Sequence, residues 1–260
     1  AYLPILIGVA ALFLFSFRQL KLEEPVLDLK VFRFPMYSLG VILFLIVLMA
    51  MFSSEIILPI YMQGSLALPA ATAGLILLPG SLLTGLTSPL MGHLFDKLGP
   101  RKLLIPGTLM LSVVMFILSR LSLQTPIWLL VVCYILLMLS ISAIMMPAET
   151  NGLNELPKRL YPHGTAMMTT LQPIAGAIGV SVFVSILSAR QTHFLNNADD
   201  ASDPLTIKEA LVAGVELVYL LAFVIALLAL ILSFFVYRAT PKDVDSVIKA
   251  QKSSRKSNKA

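Results

Sequence analysis

The chain has 260 residues, 58% of them hydrophobic and only 13% charged, with a mean hydropathy of +0.90. Soluble domains carry roughly 25% charged residues, so a water-soluble globule is excluded: it would have to hide several wholly apolar helices in one core. The formal net charge of +5 lies between the apolar runs and in the tail, which argues against a nucleic-acid binder, and a single cysteine, Cys133, excludes an internal disulfide framework.

The chain opens on AYLPILIGVAALFLFSF, residues 1–17, without an initiator Met. That reads as an apolar span in the middle of a longer protein. Residues 18–37 follow, and RQLKLEEPVLDLKVFRFP mixes charge with Val26, Leu27, Leu29, Val31, Phe32 and Phe34. An amphipathic segment on the inner membrane surface is expected there, and a plain linker fits the same residues. Six further apolar runs lie at about 38–62, 72–94, 103–121, 126–147, 163–188 and 211–237. Each approaches or exceeds the roughly 20 residues that cross a bilayer as a helix, and lipid leaves no partner for backbone groups outside a helix. Residues 238–260 form a polar, basic tail, expected to be disordered and cytoplasmic.

Lys and Arg fix the expected orientation. One set of connections, with the tail, holds sixteen of them; the alternate connections hold only Arg120, Arg190 and Lys208. The positive-inside rule puts the richer set in the cytoplasm. The expectation is a multi-pass protein of the cell membrane with its C-terminus inside.

Enzyme signatures are missing: there is no P-loop, no G-x-S-x-G and no H-E-x-x-H. His93, His163 and His193 lack ligand spacing. No enzyme activity, cofactor or metal is expected. Acids in apolar spans carry the chemistry instead. Glu55, in MFSSEIILPIYMQ, lies about five residues past the middle of its span, or about 7–8 Å at 1.5 Å per residue. Such a carboxylate costs about 3 kcal/mol or more to bury, so it faces a cavity or a partner and suits reversible protonation. The alternative is a glutamate reaching back to the outer interface. Pro59 would free the Glu55 carbonyl from its helix bond. Glu216 is a second proton-coupling candidate, and Glu149 suits a cytoplasmic mouth or a cap.

Gln172, mid-membrane before Pro173, would bond a substrate or another helix. Tyr61 and Gln63 are further substrate-path candidates, as are Met145 and Met146; together with Met167 and Met168 these would give an adaptable apolar surface or plain filler. Ala175 and Gly179 form a small-xxx-small face for close helix packing. Gly92, Asp96, Lys97, Gly99, Arg101 and Lys102 lie in GHLFDKLGPRK, a tight basic turn. Gly92 allows close helix approach, and Asp96 is placed to meet a helix N-terminus or a cation.

The order of residues in that turn resembles the signature loop of the major facilitator superfamily: Gly, any, Leu, small, Asp, basic, any, Gly, basic, basic. Phe95 and Pro100 depart from it. EPVLDLKVFRFP, LPIYMQ, AGLILLPGSL and GLNELPKRLYPHGTAMMTTLQPIAGAIGVSV resemble the second half of fourteen-helix drug:proton antiporters of the EmrB/QacA type, closest to the lincomycin-resistance type. The resemblance implies an all-α membrane fold of about seven transmembrane helices: an extra central helix (1–17), a cytoplasmic linker (18–37), a C-terminal six-helix half (38–237) and the tail (238–260). It implies drug:proton antiport by alternating access, with an amphipathic or cationic drug, protons, the bilayer and a missing N-terminal half as partners. A same-fold exporter of an amino acid or other metabolite, and a truncated non-transporting fragment, are the other readings.

Overall fold

A computed structural model describes residues 28–198 and 200–239, together with residue 8. The expected span over 1–17 (residue 8 aside) and the tail from 240 onward lie outside the described residues. A short 3-10 turn, Leu29–Arg33, leads into six long helices: α1 Pro35–Gly64, α2 Ala70–Leu98, α3 Pro100–Leu118, α4 Ile127–Glu155, α5 Tyr161–Asn196 and α6 Pro204–Ser233. All six are long and apolar enough to cross a membrane. Consecutive helices alternate in direction. The basic connections cluster at one end, hereafter the basic end.

The packing has internal symmetry. α1 packs on α4 and α5, α4 also packs on α2 and α3, and α3 pairs with α6. Exchanging α1, α2 and α3 for α4, α5 and α6 carries the main packed pairs onto other packed pairs. α1 starts at the basic end and α4 at the other, so the two triplets run in opposite senses, as in an inverted repeat. The layer α2–α4–α1–α5 therefore has α3 and α6 behind it.

Side chains explain the close pairs. The face predicted from Ala175 and Gly179 packs on α1: a Cβ at Gly179 would lie 2.9 Å from the Met49 Cα. The core is lined by Leu43, Ile57, Leu104, Leu111, Met115 and Leu137, all wholly or almost wholly buried. α2 is different. Leu75, Leu78, Leu82, Leu86 and Leu90 all point outward, and Ile174, Ile178 and Val182 do so on α5.

The expected spans follow the apolar runs, but the helices exceed them. α4 passes Pro147 and continues to Glu155, α5 continues to Asn196, and α6 starts at Pro204. Backbone bonding continues where apolarity stops. Asp203 accepts from the Thr206 N–H and Pro204 occupies the first turn, so α6 nucleates ahead of its apolar stretch.

The basic end is tied by polar groups from the last turns of α4. Glu155 is 1% exposed, and its Oε2 accepts from the N–H groups of Met36 (2.7 Å) and Tyr37 (3.2 Å). A carboxylate from a distant helix thus caps α1, whose own preceding residue, Phe34, gives no side-chain cap. Asn151 donates to the Tyr237 carbonyl at 3.0 Å and accepts from the Ala239 N–H at 2.9 Å. The Tyr37 hydroxyl donates to the Gly164 carbonyl at 2.9 Å. Within 18–37, Val31 and Phe34 are buried and Phe32 is exposed, while residues 18–27 lie outside the described residues.

The turn at 92–102 is compact. α2 ends at Leu98, Gly99 stands at φ 80° and ψ 170°, and Pro100 takes the first position of α3. That backbone region is essentially restricted to glycine, while Pro at a helix start loses no needed hydrogen bond. Pro100 therefore supports the turn in place of the usual cation. Gly99→Ala is expected to cost about 1–3 kcal/mol, seen as a lower melting temperature of the detergent-solubilised full-length protein. An unchanged melting temperature would contradict the strained turn.

Candidate functional site

Sequence candidates separate into three places. Glu55 lies on α1, about 30 Å along it from Pro35 at 1.5 Å per residue. Its side chain is exposed at the chain surface, although Ser53 and Ser54 beside it are buried. α1 continues through Pro59 as one helix. Glu55 acts electrostatically on Tyr134 of α4. The Tyr134 hydroxyl lies 3.3 Å from Ser81 Oγ of α2, which also donates to the Leu77 carbonyl at 3.3 Å. Gly80 makes room for that ring: a Cβ there would fall 2.5 Å from Tyr134 Cδ1. Tyr134 in turn acts electrostatically on Tyr219 of α6. Its hydroxyl is buried beside Ser54 of α1, and Ser53 Oγ is buried without a hydrogen-bond partner among the described residues.

The hydroxyls of Ser81 and Tyr134 thus pair between α2 and α4, that of Tyr219 is buried on α6, and the Glu55 carboxyl lies exposed on α1 within electrostatic reach of Tyr134. Sequence reading found Glu55 but missed Tyr134, Ser81 and Tyr219. Each is one of several hydroxyls in its apolar run, and only the packing of the helices singles it out.

Other candidates fall elsewhere. Tyr61 is fully buried, and its hydroxyl donates to the Ser122 carbonyl at 2.6 Å. That bond fastens the end of α1 to the α3–α4 connection. Gln63, in the last turn of α1, is exposed. Gln172 is half-buried on α5 and makes no hydrogen bond among the described residues. Met145 and Met146 are half-buried on α4, and Met146 fills the space beside Gly92. Met167 and Met168 are buried, Met168 against Gly152, so these two serve the core rather than an adaptable surface.

Glu216 is not brought to Glu55. It lies in an open cleft of about 440 Å³ with Arg120, Arg190, Ser119, Ala213, Leu217 and Leu220. In the basic turn, Asp96, Lys97, Arg101 and Lys102 are exposed. The expected partner of Asp96 is not found among the described residues: α3 has no side-chain cap and Asp96 forms no ion pair. Gly92 behaves as expected, allowing α2 to approach α4 through Met146.

Six apolar helices in two inverted triplets, with polar groups at their centre, define a multi-pass membrane protein of transporter type. The model of the Major Facilitator Superfamily matches residues 3–180 and 40–259. The chain belongs to that superfamily, whose members transport and are not enzymes. It is 45% identical over 234 residues to the lincomycin resistance protein LmrB of Bacillus subtilis (strain 168), covering 90% of this chain and 49% of that protein. Against LmrB of Listeria monocytogenes the identity is 46% over 235 residues, 90% of this chain and 50% of that protein. The riboflavin transporter RibZ of Clostridioides difficile is 24% identical over 241 residues, 92% of this chain and 51% of RibZ. The chain thus spans about half the length of these curated relatives.

Proposed function

We propose that the chain is the C-terminal six-helix half, with one extra helix before it, of a fourteen-helix drug:proton antiporter of the EmrB/QacA type. The carrying observation is Glu55, a carboxylate two-thirds of the way along the apolar membrane helix α1, within electrostatic reach of Tyr134 on α4. An ionisable group placed so is a functional site by default. The names of the LmrB relatives support a drug as the exported substrate. Glu55 takes a proton from outside in one state and releases it inside in the other; the drug, amphipathic or cationic, moves in exchange. The apolar stripes of α2 and α5 face the missing N-terminal half, with the transport cavity between the halves. Gln63, Gln172, Met145 and Met146 are its candidate lining. The basic turn with Asp96 and Arg101 meets that other half in one of the two states, which gives Asp96 the partner not found among the described residues.

The protein sits in the cell membrane with residues 18–37, the basic turn and the 238–260 tail in the cytoplasm. Lys97→Cys in the full-length protein, otherwise stripped of reactive cysteines, is expected to be labelled only after the membrane is permeabilised. Labelling in intact cells from outside would overturn the orientation.

Likeness to RibZ favours a second reading, transport of a metabolite by the same fold. Expression of the full-length protein in a host lacking its own exporters separates the two. Drug export predicts resistance to lincosamides or other amphipathic drugs. A metabolite exporter predicts unchanged resistance and relief of a metabolite overproducer.

A further inference from the structure

The cleft around Glu216 differs from the apolar perimeter on either side of it. α3 ends at Leu118 and Arg120 follows within a turn, whereas α5 runs on from Arg190 to Asn196 and α6 starts at Pro204, well before Glu216. Arg120, Arg190 and Glu216 line one cleft, so they share the level at which the apolar run of α3 stops. In a bilayer that is the boundary between hydrocarbon and headgroups. The Arg120 guanidinium is held 5.3 Å over the Phe116 ring, and Phe116 packs on Phe223 with centroids 5.3 Å apart. Both arginines act electrostatically on Glu216, yet none of the three forms an ion pair at 4.0 Å or closer among the described residues.

Two apolar stripes run from this cleft towards the basic end. One is Leu220, Val224, Leu228 and Ile231 on α6, the other Phe116, Val113 and Leu109 on α3, all exposed. The helices that carry them are packed together.

We infer that this cleft binds a phospholipid with an amine-bearing, zwitterionic headgroup. Arg120 and Arg190 take the phosphate, for which guanidinium geometry is suited. Glu216 takes the ammonium group, and the acyl chains lie along the stripes of α3 and α6. An acidic lipid would meet the same arginines but leave Glu216 without a cation. The site stands apart from Glu55 and does not rest on the transport reading.

The test uses the delipidated full-length protein and native mass spectrometry with defined lipids. Wild type is expected to retain phosphatidylethanolamine over phosphatidylglycerol by about threefold, the scale of one exposed ion pair. Glu216→Gln removes that preference. Arg120→Ala with Arg190→Ala loses the bound lipid, and the paired Lys variants keep most of it. Equal retention of the two lipids by wild type overturns the headgroup assignment, as does an undiminished preference in Glu216→Gln. Soluble glycerophosphoethanolamine binding as well as the lipid would make this a phosphate site and overturn the lipid assignment. Should the double Ala variant not fold, the wild-type preference and its loss in Glu216→Gln decide the matter.

Discussion

Glu55→Gln in the full-length transporter is expected to bring drug resistance down to that of cells without the protein, at unchanged expression. Glutamine keeps the size of the side chain and its polarity, but it cannot ionise. It holds the site in one protonation state, so the exchange of proton for drug stops while drug binding survives. Drug exchange between equally loaded compartments, which needs no net proton movement, is expected to continue. Glu55→Asp, which retains a titrating group, is expected to keep part of the activity. Full resistance in Glu55→Gln would remove this residue from coupling. Loss of binding as well would make it a substrate contact instead.

The second large effect concerns stability. Glu155→Ala leaves the Met36 and Tyr37 N–H groups without the carboxylate that caps them. A buried donor stripped of its partner costs about 1–3 kcal/mol, and here two are stripped at the start of a helix that packs on four others. The variant is expected to fall sharply in yield and in detergent melting temperature. Glu155→Gln retains an acceptor oxygen and is expected to recover most of the loss. If Ala and Gln behaved alike, packing rather than capping would be the role of this side chain.

These two residues show what the sequence made legible. Glu55 stands out because a charge in an apolar run is expensive, whatever the fold. Glu155 does not: its run, GLNELPKR, is polar, and its partners lie 119 and 118 positions away. Tertiary capping leaves no periodic mark. The same holds for Tyr61, whose place in LPIYMQ suggested a substrate contact and whose hydroxyl is committed to Ser122. The six spans were readable because bilayer thickness imposes a minimum apolar length. Helix ends were not, since α4, α5 and α6 continue on hydrogen bonds into polar stretches. The basic turn was readable as a turn, from Gly99 and Pro100. What Asp96 binds was not, because its expected partner is not found among the described residues of this chain.

The hydroxyls around Glu55 extend the same point. Ser81, Tyr134 and Tyr219 sit on three helices, and each alone looks like an ordinary polar residue in an apolar run. Only the packing of α2 on α4, and of α6 on α1, gathers them.

The most direct test is proton flux in proteoliposomes holding the full-length protein and a pH-sensitive dye inside. Adding a transported drug on one side is expected to drive proton movement the opposite way, and an imposed pH gradient to accumulate drug. Both are expected to vanish in Glu55→Gln. Drug accumulation that ignores the pH gradient and persists with a protonophore would contradict proton-coupled export.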